Sequence, residues 1–310
     1  MKLPWPAAAT FASAAILALI PAPSLAQPAT PYDRINAAAA TAAITVQPLR
    51  GGVSMLEGSG GNITVLAGPD GLFMVDAGIT VSRARIEEAL RRLSPAPLRY
   101  VVTTHWHWDH ADGNGWARAA GATIVAHRGA VRRLSSTIRV AEWGHTFEPV
   151  AAAALPNLVI DQPRTFRMNG ETILVRPYAA GHTDGDLSVY FRRANVLATG
   201  DTWWNGQYPF IDYVGGGGID GAILAANRNI TMADADTIVV PGHGPAGSRV
   251  DLVAFRDMLV AVRGRVAALK RSGLSVEQVV AAAPTAEFDR RWGASLISGA
   301  LFTALVYRGV

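Results

Sequence analysis

The stretch Thr103–Gly115, which reads T-T-H-W-H-W-D-H-A-D-G-N-G, constrains this chain more than any other segment. Within six residues it holds four side chains that can bind a metal: His105, His107, Asp109 and His110. Histidine and aspartate are rarely buried without partners, so core packing explains such a cluster poorly. Imidazole and carboxylate ligands together suit zinc or a similar first-row metal. The stretch therefore predicts a metal site whose remaining ligands come from elsewhere in the chain.

The histidine stretch begins where a buried strand is expected to end. Residues 99–104 form a near-continuous apolar run, which is typical of a strand covered on both faces. Three further ligand candidates, each next to a glycine, lie at later strand ends: His182, Asp201 and His243. Because ligand sites in α/β sheets collect at the carboxyl ends of the strands, we expect these residues to meet the histidine stretch.

The order of elements is similar in the two halves of the chain. From Val53 onward, short β-prone runs separated by glycine-rich turns lead into helices, and from Thr165 the pattern starts again. Each half places its ligand candidates at strand ends, which suggests two comparable units that face each other as a sandwich. The pattern predicts an α/β protein, with Ser135–Asn157 as a long irregular segment and Arg249–Arg271 as a long amphipathic helix.

Residues 1–26 have the features of a secretory signal peptide. Lys2 gives a short positive end, Ala7–Ile20 is an apolar run, and small residues lead to a cleavage position near Ala26. The apolar run is shorter than the roughly 20 residues that a membrane-spanning helix needs. We therefore expect a periplasmic or secreted protein, with no membrane anchor after cleavage. An N-terminal arm is expected over residues 27–50, with a short helix around Ile35–Ala43.

Composition excludes several classes of site. The chain has no cysteine, so disulfides, thiolate ligands and thiol nucleophiles are excluded, and any metal is held by nitrogen and oxygen. The formal charge of +4 comes from arginines scattered along the chain, since Lys2 and Lys270 are its only lysines. A nucleic-acid site needs a dense basic patch. A small-molecule substrate is therefore expected rather than nucleic acid.

The combined motifs H-x-H-x-D-H, G-H-T-x-G, G-D and G-H-G, in this order, resemble those of the metallo-β-lactamase superfamily of metallohydrolases. The resemblance extends from about Val53 to the end of the chain, and the set of motifs is far more specific than a single H-x-H. It implies a four-layer αββα sandwich of two mixed β-sheets flanked by helices, with residues 51–310 as the catalytic domain.

Carried over position by position, the resemblance implies two metal ions, expected to be zinc, with iron or manganese as alternatives. The ligands of the first ion would be His105, His107 and His182. The ligands of the second would be Asp109, His110 and His243. Asp201 would bridge the two ions, and Asp76, at the end of its strand, would orient the histidine stretch by hydrogen bonding.

The resemblance also implies hydrolysis of an ester, lactone, thioester or amide bond, β-lactams included, by a hydroxide that the two metals share. Asp109 would help to orient this hydroxide. β-Lactamases with a cysteine ligand are excluded, because Asp201 occupies that position and the chain lacks cysteine. Two alternatives remain open: a mononuclear iron oxygenase of the persulfide type, and a non-catalytic periplasmic metal-binding protein.

Aromatic residues that closely follow Asp201 are candidates for the wall of a substrate pocket: Trp203, Trp204 and Tyr208. Tyr208 could donate a hydrogen bond to an oxyanion. For all three residues, packing in the protein interior is the alternative.

Overall fold

The computed structural model of the chain describes residues 1–3 and 29–310. Apart from its first three positions, the predicted signal peptide lies outside the described residues, and so does the predicted cleavage position near Ala26. Within the described part, no helix is both long enough and apolar enough to cross a membrane.

The described part of the chain folds into short strands and helices that alternate along much of the sequence. The strands are β1 (Thr45–Pro48), β2 (Val53–Glu57), β3 (Ile63–Gly68), β4 (Gly71–Val75), β5 (Leu98–Val102), β6 (Thr123–His127), β7 (Ile138–Val140), β8 (His145–Phe147), β9 (Leu158–Ile160), β10 (Arg164–Met168), β11 (Glu171–Pro177), β12 (Leu187–Phe191), β13 (Val196–Ala198) and β14 (Ile238–Val240). The helices are α1 (Pro31–Thr41), α2 (Arg83–Leu93), α3 (Trp108–Ala111), α4 (Asn114–Ala119), α5 (Arg128–Leu134), α6 (Ile219–Met232), α7 (Arg249–Arg271), α8 (Val276–Ala281), α9 (Ala286–Trp292) and α10 (Gly299–Arg308).

The strands form two large mixed sheets. The first has the order β1-β2-β3-β4-β5-β6-β9, in which β4, β5, β6 and β9 run parallel. The second has the order β10-β11-β12-β13-β14, and its last pair is parallel. The strands β7 and β8 form a separate antiparallel hairpin.

Alternation of side chains in the central strands explains why the two sheets stack. In β4, Phe73 and Val75 belong to the core between the sheets, whereas Leu72 and Met74 belong to a core shared with helices. Successive side chains of a strand point to opposite faces, so an all-apolar strand must be covered on both. The ring of Phe73 meets that of Phe191 in the second sheet edge-on, with centroids 6.1 Å apart.

Helices form the two outer layers. The helices α2 and α4 contribute Ile86 and Trp116 to the core on the outer side of the first sheet. The helices α6 and α7 contribute Ala226 and Phe255 to a core that also contains Leu197 of the second sheet. The predicted four-layer αββα sandwich of two mixed sheets flanked by helices is therefore confirmed.

Two segments contain more regular structure than the sequence indicates. Ser135–Asn157, predicted as irregular, contains the β7–β8 hairpin, because three-residue strands are too short to show a clear alternating pattern. Within the predicted N-terminal arm, residues 45–48 form β1 and pair with β2. The helix expected in this arm is present as α1, which begins earlier, at Pro31, because the side chain of Thr30 accepts a hydrogen bond from the backbone of Asp33 and caps it there.

Candidate metal centre

Seven histidine and aspartate side chains converge beyond the ends of strands in both sheets. Four follow β5 in the first sheet, and the other three come from the second: one between β11 and β12, one after β13 and one after β14. Their ligand atoms form two groups, His105, His107, His182 and Asp201 in the first, and Asp109, His110 and His243 in the second. Within each group these atoms lie within 4.8 Å of one another. Every ligand named from the sequence is thus brought to one place.

The first group combines three imidazoles with one carboxylate. The Nε2 atom of His182 lies 3.0 Å from Nδ1 of His107. Asp201 Oδ2 lies 3.4 Å from Nε2 of His182 and 3.7 Å from Nε2 of His105. Four such donor atoms are the number that a tetrahedral zinc ion requires.

The second group contacts the same carboxylate. Nε2 of His243 is 3.4 Å from Asp109 Oδ2 and 3.3 Å from Nε2 of His110. Asp201 reaches this group too, since its Oδ1 is 3.1 Å from Nε2 of His110 and its Oδ2 is 3.4 Å from Nε2 of His243. One carboxylate therefore contacts both groups, as a bridging ligand would.

Hydrogen bonds to carboxylates fix the rings of two ligand histidines. Nε2 of His107 lies 3.0 Å from Oδ2 of Asp212, and Nδ1 of His110 lies 2.8 Å from Oδ2 of Asp76. An ionised carboxylate can only accept, so these two ring nitrogens carry the protons. When each ring is neutral, as metal binding requires, its other nitrogen is unprotonated and available to the metal.

The nitrogens of the first group fit a metal ion. His182 Nδ1 donates to the backbone carbonyl of Phe210 at 2.9 Å, so its Nε2 is unprotonated in the neutral ring. That atom faces Nδ1 of His107 at 3.0 Å, and when the His107 ring is neutral neither nitrogen can donate to the other. His105 Nε2 is buried and has no hydrogen-bond partner among the described residues. Because buried polar atoms are normally satisfied, a cation shared by these nitrogens accounts for all three.

Burial and neighbouring charges set the protonation of the metal-free cluster. Burial lowers the pKa of His182 to about 4 and holds that of His105 well below its usual value. Burial also opposes protonation of His110, but the carboxylates of Asp201 and Asp109 outweigh it and hold the pKa of His110 well above its usual value. Burial likewise opposes protonation of His107, but its hydrogen bond to Asp212 outweighs burial and raises the pKa of His107. Metals bind deprotonated ligands. At neutral pH His105 and His182 can therefore accept an ion directly, whereas an ion bound by His110 must displace a proton.

Asp76 lies immediately after β4, where it connects two parts of the histidine stretch. Its Oδ1 accepts a hydrogen bond from the backbone N–H of Thr104 at 2.7 Å, and its Oδ2 accepts one from the Thr104 hydroxyl at 2.8 Å. The same Oδ2 contacts Nδ1 of His110. Asp76 has a φ of 65°, in the left-handed region that residues other than glycine rarely adopt. These hydrogen bonds offset the cost of that conformation.

Asp212 is a site residue that the sequence analysis missed. The residue is 1% exposed, and its Oδ2 accepts hydrogen bonds from His107 at 3.0 Å and from the indole N–H of Trp106 at 2.9 Å. Burial opposes its charge, but the hydrogen bond and the charge of the His107 ring hold the pKa of Asp212 below its usual value. The sequence does contain a signal for this role, since Asp212 lies inside the otherwise apolar run 209–214. A single charged residue in a buried segment requires a partner.

A cavity of about 100 Å³ opens beside the two ligand groups. The ligand residues that line it are His107, Asp109, Asp201 and His243. Its other large side chains are aromatic or aliphatic: Ile35, Trp108, Trp143, Trp204, Phe210 and Leu296. Among the residues that the structure describes, no lysine or arginine belongs to this lining. Ile35 lies in α1, so the segment predicted as an N-terminal arm forms part of the cavity wall.

Of the three aromatic pocket candidates, Trp204 lines the cavity and packs on a ligand histidine, with ring centroids 4.2 Å apart. Trp203 and Tyr208 do not line it, and both are fully buried. The hydroxyl of Tyr208 donates to Asp289 in α9 at 2.8 Å, and its ring stacks on Phe302 in α10. The expectation for Trp203 and Tyr208 is therefore corrected: these side chains pack in the helical layer, and the Tyr208 hydroxyl is not placed to bind an oxyanion.

Asp212→Asn is expected to weaken metal binding while the fold is retained. Asparagine keeps the shape of the side chain but can present an amide N–H to His107, so the ring is no longer held in one tautomer. We expect the affinity for zinc to fall by about 10- to 100-fold, measured by competition with a chromophoric chelator. Asp220→Asn, which removes an exposed carboxylate paired with Arg263, is the control and should leave the affinity unchanged. An unchanged affinity in Asp212→Asn would show that Asp212 does not position His107.

Comparisons with known proteins agree with this geometry. The family model of the metallo-beta-lactamase superfamily matches residues 56–243, a range that contains all the ligand candidates. A hydroxyacylglutathione hydrolase of Brucella anthropi is 29% identical over 120 residues, which are 38% of this chain and 38% of that protein. The match thus spans well under half the length of this curated relative.

Solved structures share the fold. A stereoselective inverting sec-alkylsulfatase of Pseudomonas sp. superposes with a TM-score of 0.65 at 17% identity, over 91% of this chain and 53% of its own. A metallo-beta-lactamase of Pontibacter korlensis superposes with a TM-score of 0.54 at 20% identity, over 70% of this chain and 99% of its own. At these identities the likeness shows the fold alone. The family match, which covers more than half of the chain, confirms the resemblance found in the motifs: the chain belongs to the metallo-beta-lactamase superfamily.

Proposed function

We propose that this protein is a hydrolase that cleaves an ester, lactone, thioester or amide bond, β-lactams included, with two zinc ions as cofactors. The observation that carries the proposal is the contact of the Asp201 carboxylate with both ligand groups. The residues that would hold the first ion are His105, His107 and His182. Those that would hold the second are Asp109, His110 and His243, and Asp201 would lie between the two ions.

When bound, two zinc ions lower the pKa of a water molecule and polarise the carbonyl group of a substrate. The protein contributes proton acceptance and preorganisation. Asp109 lines the cavity as well as belonging to the second group, so its carboxylate is placed to orient the attacking water and to accept a proton from it. Asp212 and Asp76 hold the rings of His107 and His110 in place, which avoids reorganisation during the reaction.

The cavity wall favours a substrate whose bound part is uncharged and apolar. Trp108, Trp143 and Phe210 give the wall its aromatic character, and no cationic side chain of the described residues is available there to pair with an anion. The peptide part of a glutathione thioester carries a net negative charge, and apart from the proposed metal ions the described lining offers no cation to pair with it. We therefore infer that the substrate differs in charge from the glutathione conjugate named for the Brucella relative.

We also propose that residues 1–26 direct export and that the catalytic domain spans residues 51–310, with the arm completing its cavity through Ile35. The positive end and the apolar run Ala7–Ile20 support export. Mass spectrometry of the protein recovered from the periplasm should show a chain that begins near Gln27. A recovered chain that begins at Met1 would contradict cleavage.

A hydrolysis assay with a panel of substrates tests the proposed activity. The panel contains an uncharged lactone, an uncharged short-chain thioester, a chromogenic β-lactam and a glutathione thioester. We expect turnover of an uncharged substrate that is lost on chelation of the metal and restored by zinc. If the zinc-loaded protein hydrolyses none of them, the proposal is wrong. One iron per chain with oxygen uptake in the presence of a persulfide would support the oxygenase alternative.

A charge placed in the cavity wall tests the substrate class in the same assay. Leu296→Lys adds a cation to the lining, and should raise kcat/KM for the glutathione thioester about two- to fivefold relative to the uncharged thioester. Leu224→Lys, at an exposed position of α6 outside the cavity, is the matched control and should leave the ratio unchanged. The same ratio in both variants would mean that this wall does not select substrates by charge.

A further inference from the structure

A second cavity, of about 190 Å³, lies beside the metal centre and is separate from the proposed active site. Four aromatic side chains dominate its wall: Tyr32, Trp106, Trp108 and Phe147. Trp108 lines both cavities. Neither the metal centre nor the proposed hydrolysis uses this second space.

The aromatic rings of the second cavity form a box. The ring centroid of Tyr32 lies 5.1 Å from that of Trp108 and 5.6 Å from that of Phe147. The centroid of Phe147 in turn lies 5.4 Å from that of Trp106 and 5.4 Å from that of Trp108. His145 stacks on Tyr32 at 3.6 Å and supports it. Rings at these separations are in contact with one another, so the cavity meets the faces and edges that this packing leaves uncovered.

Two carboxylates stand at the rim of the box. Asp112 accepts a hydrogen bond from the backbone N–H of Thr80 with one oxygen, and Glu148 accepts one from the Thr137 hydroxyl with one oxygen. Each therefore has a second oxygen available. Within the described part of the chain, the salt bridges involve other acids, and neither of these two carboxylates has a basic group within 4.0 Å.

The basic groups near the box do not cancel these charges. Arg133, which also lines the cavity, shares the carboxylate of Asp184 with Arg132, so one guanidinium charge is left over against the two carboxylates at the rim. Burial lowers the pKa of His145, so its ring is neutral at neutral pH. The pKa of Tyr32 is raised by burial and then by the negative charge of Asp112. Both the aromatic faces and the rim thus present negative potential to a ligand.

We propose that this cavity is a binding site for a small organic cation of the alkylammonium type. The faces of aromatic rings attract a cation that has lost its water, and alkyl groups on nitrogen fill an apolar space that a hydrated metal ion does not. The unpaired carboxylates of Asp112 and Glu148 balance the charge at the open side. A neutral ligand of the same shape would gain the apolar contacts but neither of the two electrostatic contributions.

Calorimetric titration of the protein with two ligands tests this proposal. The cation is tetramethylammonium, and the neutral ligand of similar shape is 2,2-dimethylpropanol. The protein is used with the metal that it carries on purification. We expect the cation to bind at least tenfold more tightly than the alcohol, a difference of about 1.4 kcal/mol. Equal affinities would show an apolar cavity without selectivity for charge, and no binding of the cation at millimolar concentration would overturn the proposal.

Charge variants locate the binding event. Asp112→Asn combined with Glu148→Gln keeps the size of both side chains, and should weaken tetramethylammonium binding about tenfold while affinity for the neutral alcohol stays the same. Phe147→Leu should weaken it about fivefold through the loss of one ring. Glu88→Gln, which removes an exposed carboxylate on α2 outside the cavity, is the control for net charge. If all these variants bind the cation as the unaltered protein does, the cation binds elsewhere and the proposal is wrong.

Discussion

The carboxylate of Asp201 is the interaction on which the rest of the centre depends. It is buried, and its two oxygens lie 3.1–3.4 Å from ring nitrogens of His110, His182 and His243. A buried carboxylate is costly unless positive charge compensates it. Protonation of the histidines cannot supply that charge throughout the cluster, because burial keeps His182 and His105 neutral at neutral pH. Cations between the nitrogens and this carboxylate resolve the conflict, which is why the cluster is best understood as a metal centre.

Both sheets of the sandwich contribute ligands to this centre. The first sheet supplies the histidine stretch after β5. The second supplies one ligand between β11 and β12, one after β13 and one after β14. The relative position of the two sheets is fixed by the shared core in which Phe73 contacts Phe191. Asp76 and Asp212 then orient the rings of His110 and His107 by hydrogen bonding. Packing of the two sheets brings the ligand residues within reach of one another, and hydrogen bonds fix the orientation of the histidine rings.

Much of the site was readable from the sequence because ligand types and their spacing are local information. The histidine stretch, the later glycine-flanked ligands and the αββα fold follow from motifs and strand order. Asp212 was missed because its role depends on a contact with His107, 105 positions away in the chain. Tyr208 was misplaced because sequence proximity to Asp201 does not show which way the backbone turns. The contribution of Ile35 to the cavity depends on how α1 packs on the domain, and no local pattern encodes that.

The most direct test of the central claim is a calorimetric titration of the metal-free protein with zinc, run beside Asp201→Ala and His243→Ala. The geometry predicts two zinc ions per chain in the unaltered protein. His243→Ala should retain one tightly bound ion, in the group formed by His105, His107 and His182, and Asp201→Ala should weaken both sites. A single zinc ion in the unaltered protein, or two equally tight ions in Asp201→Ala, would contradict a centre built on one shared carboxylate.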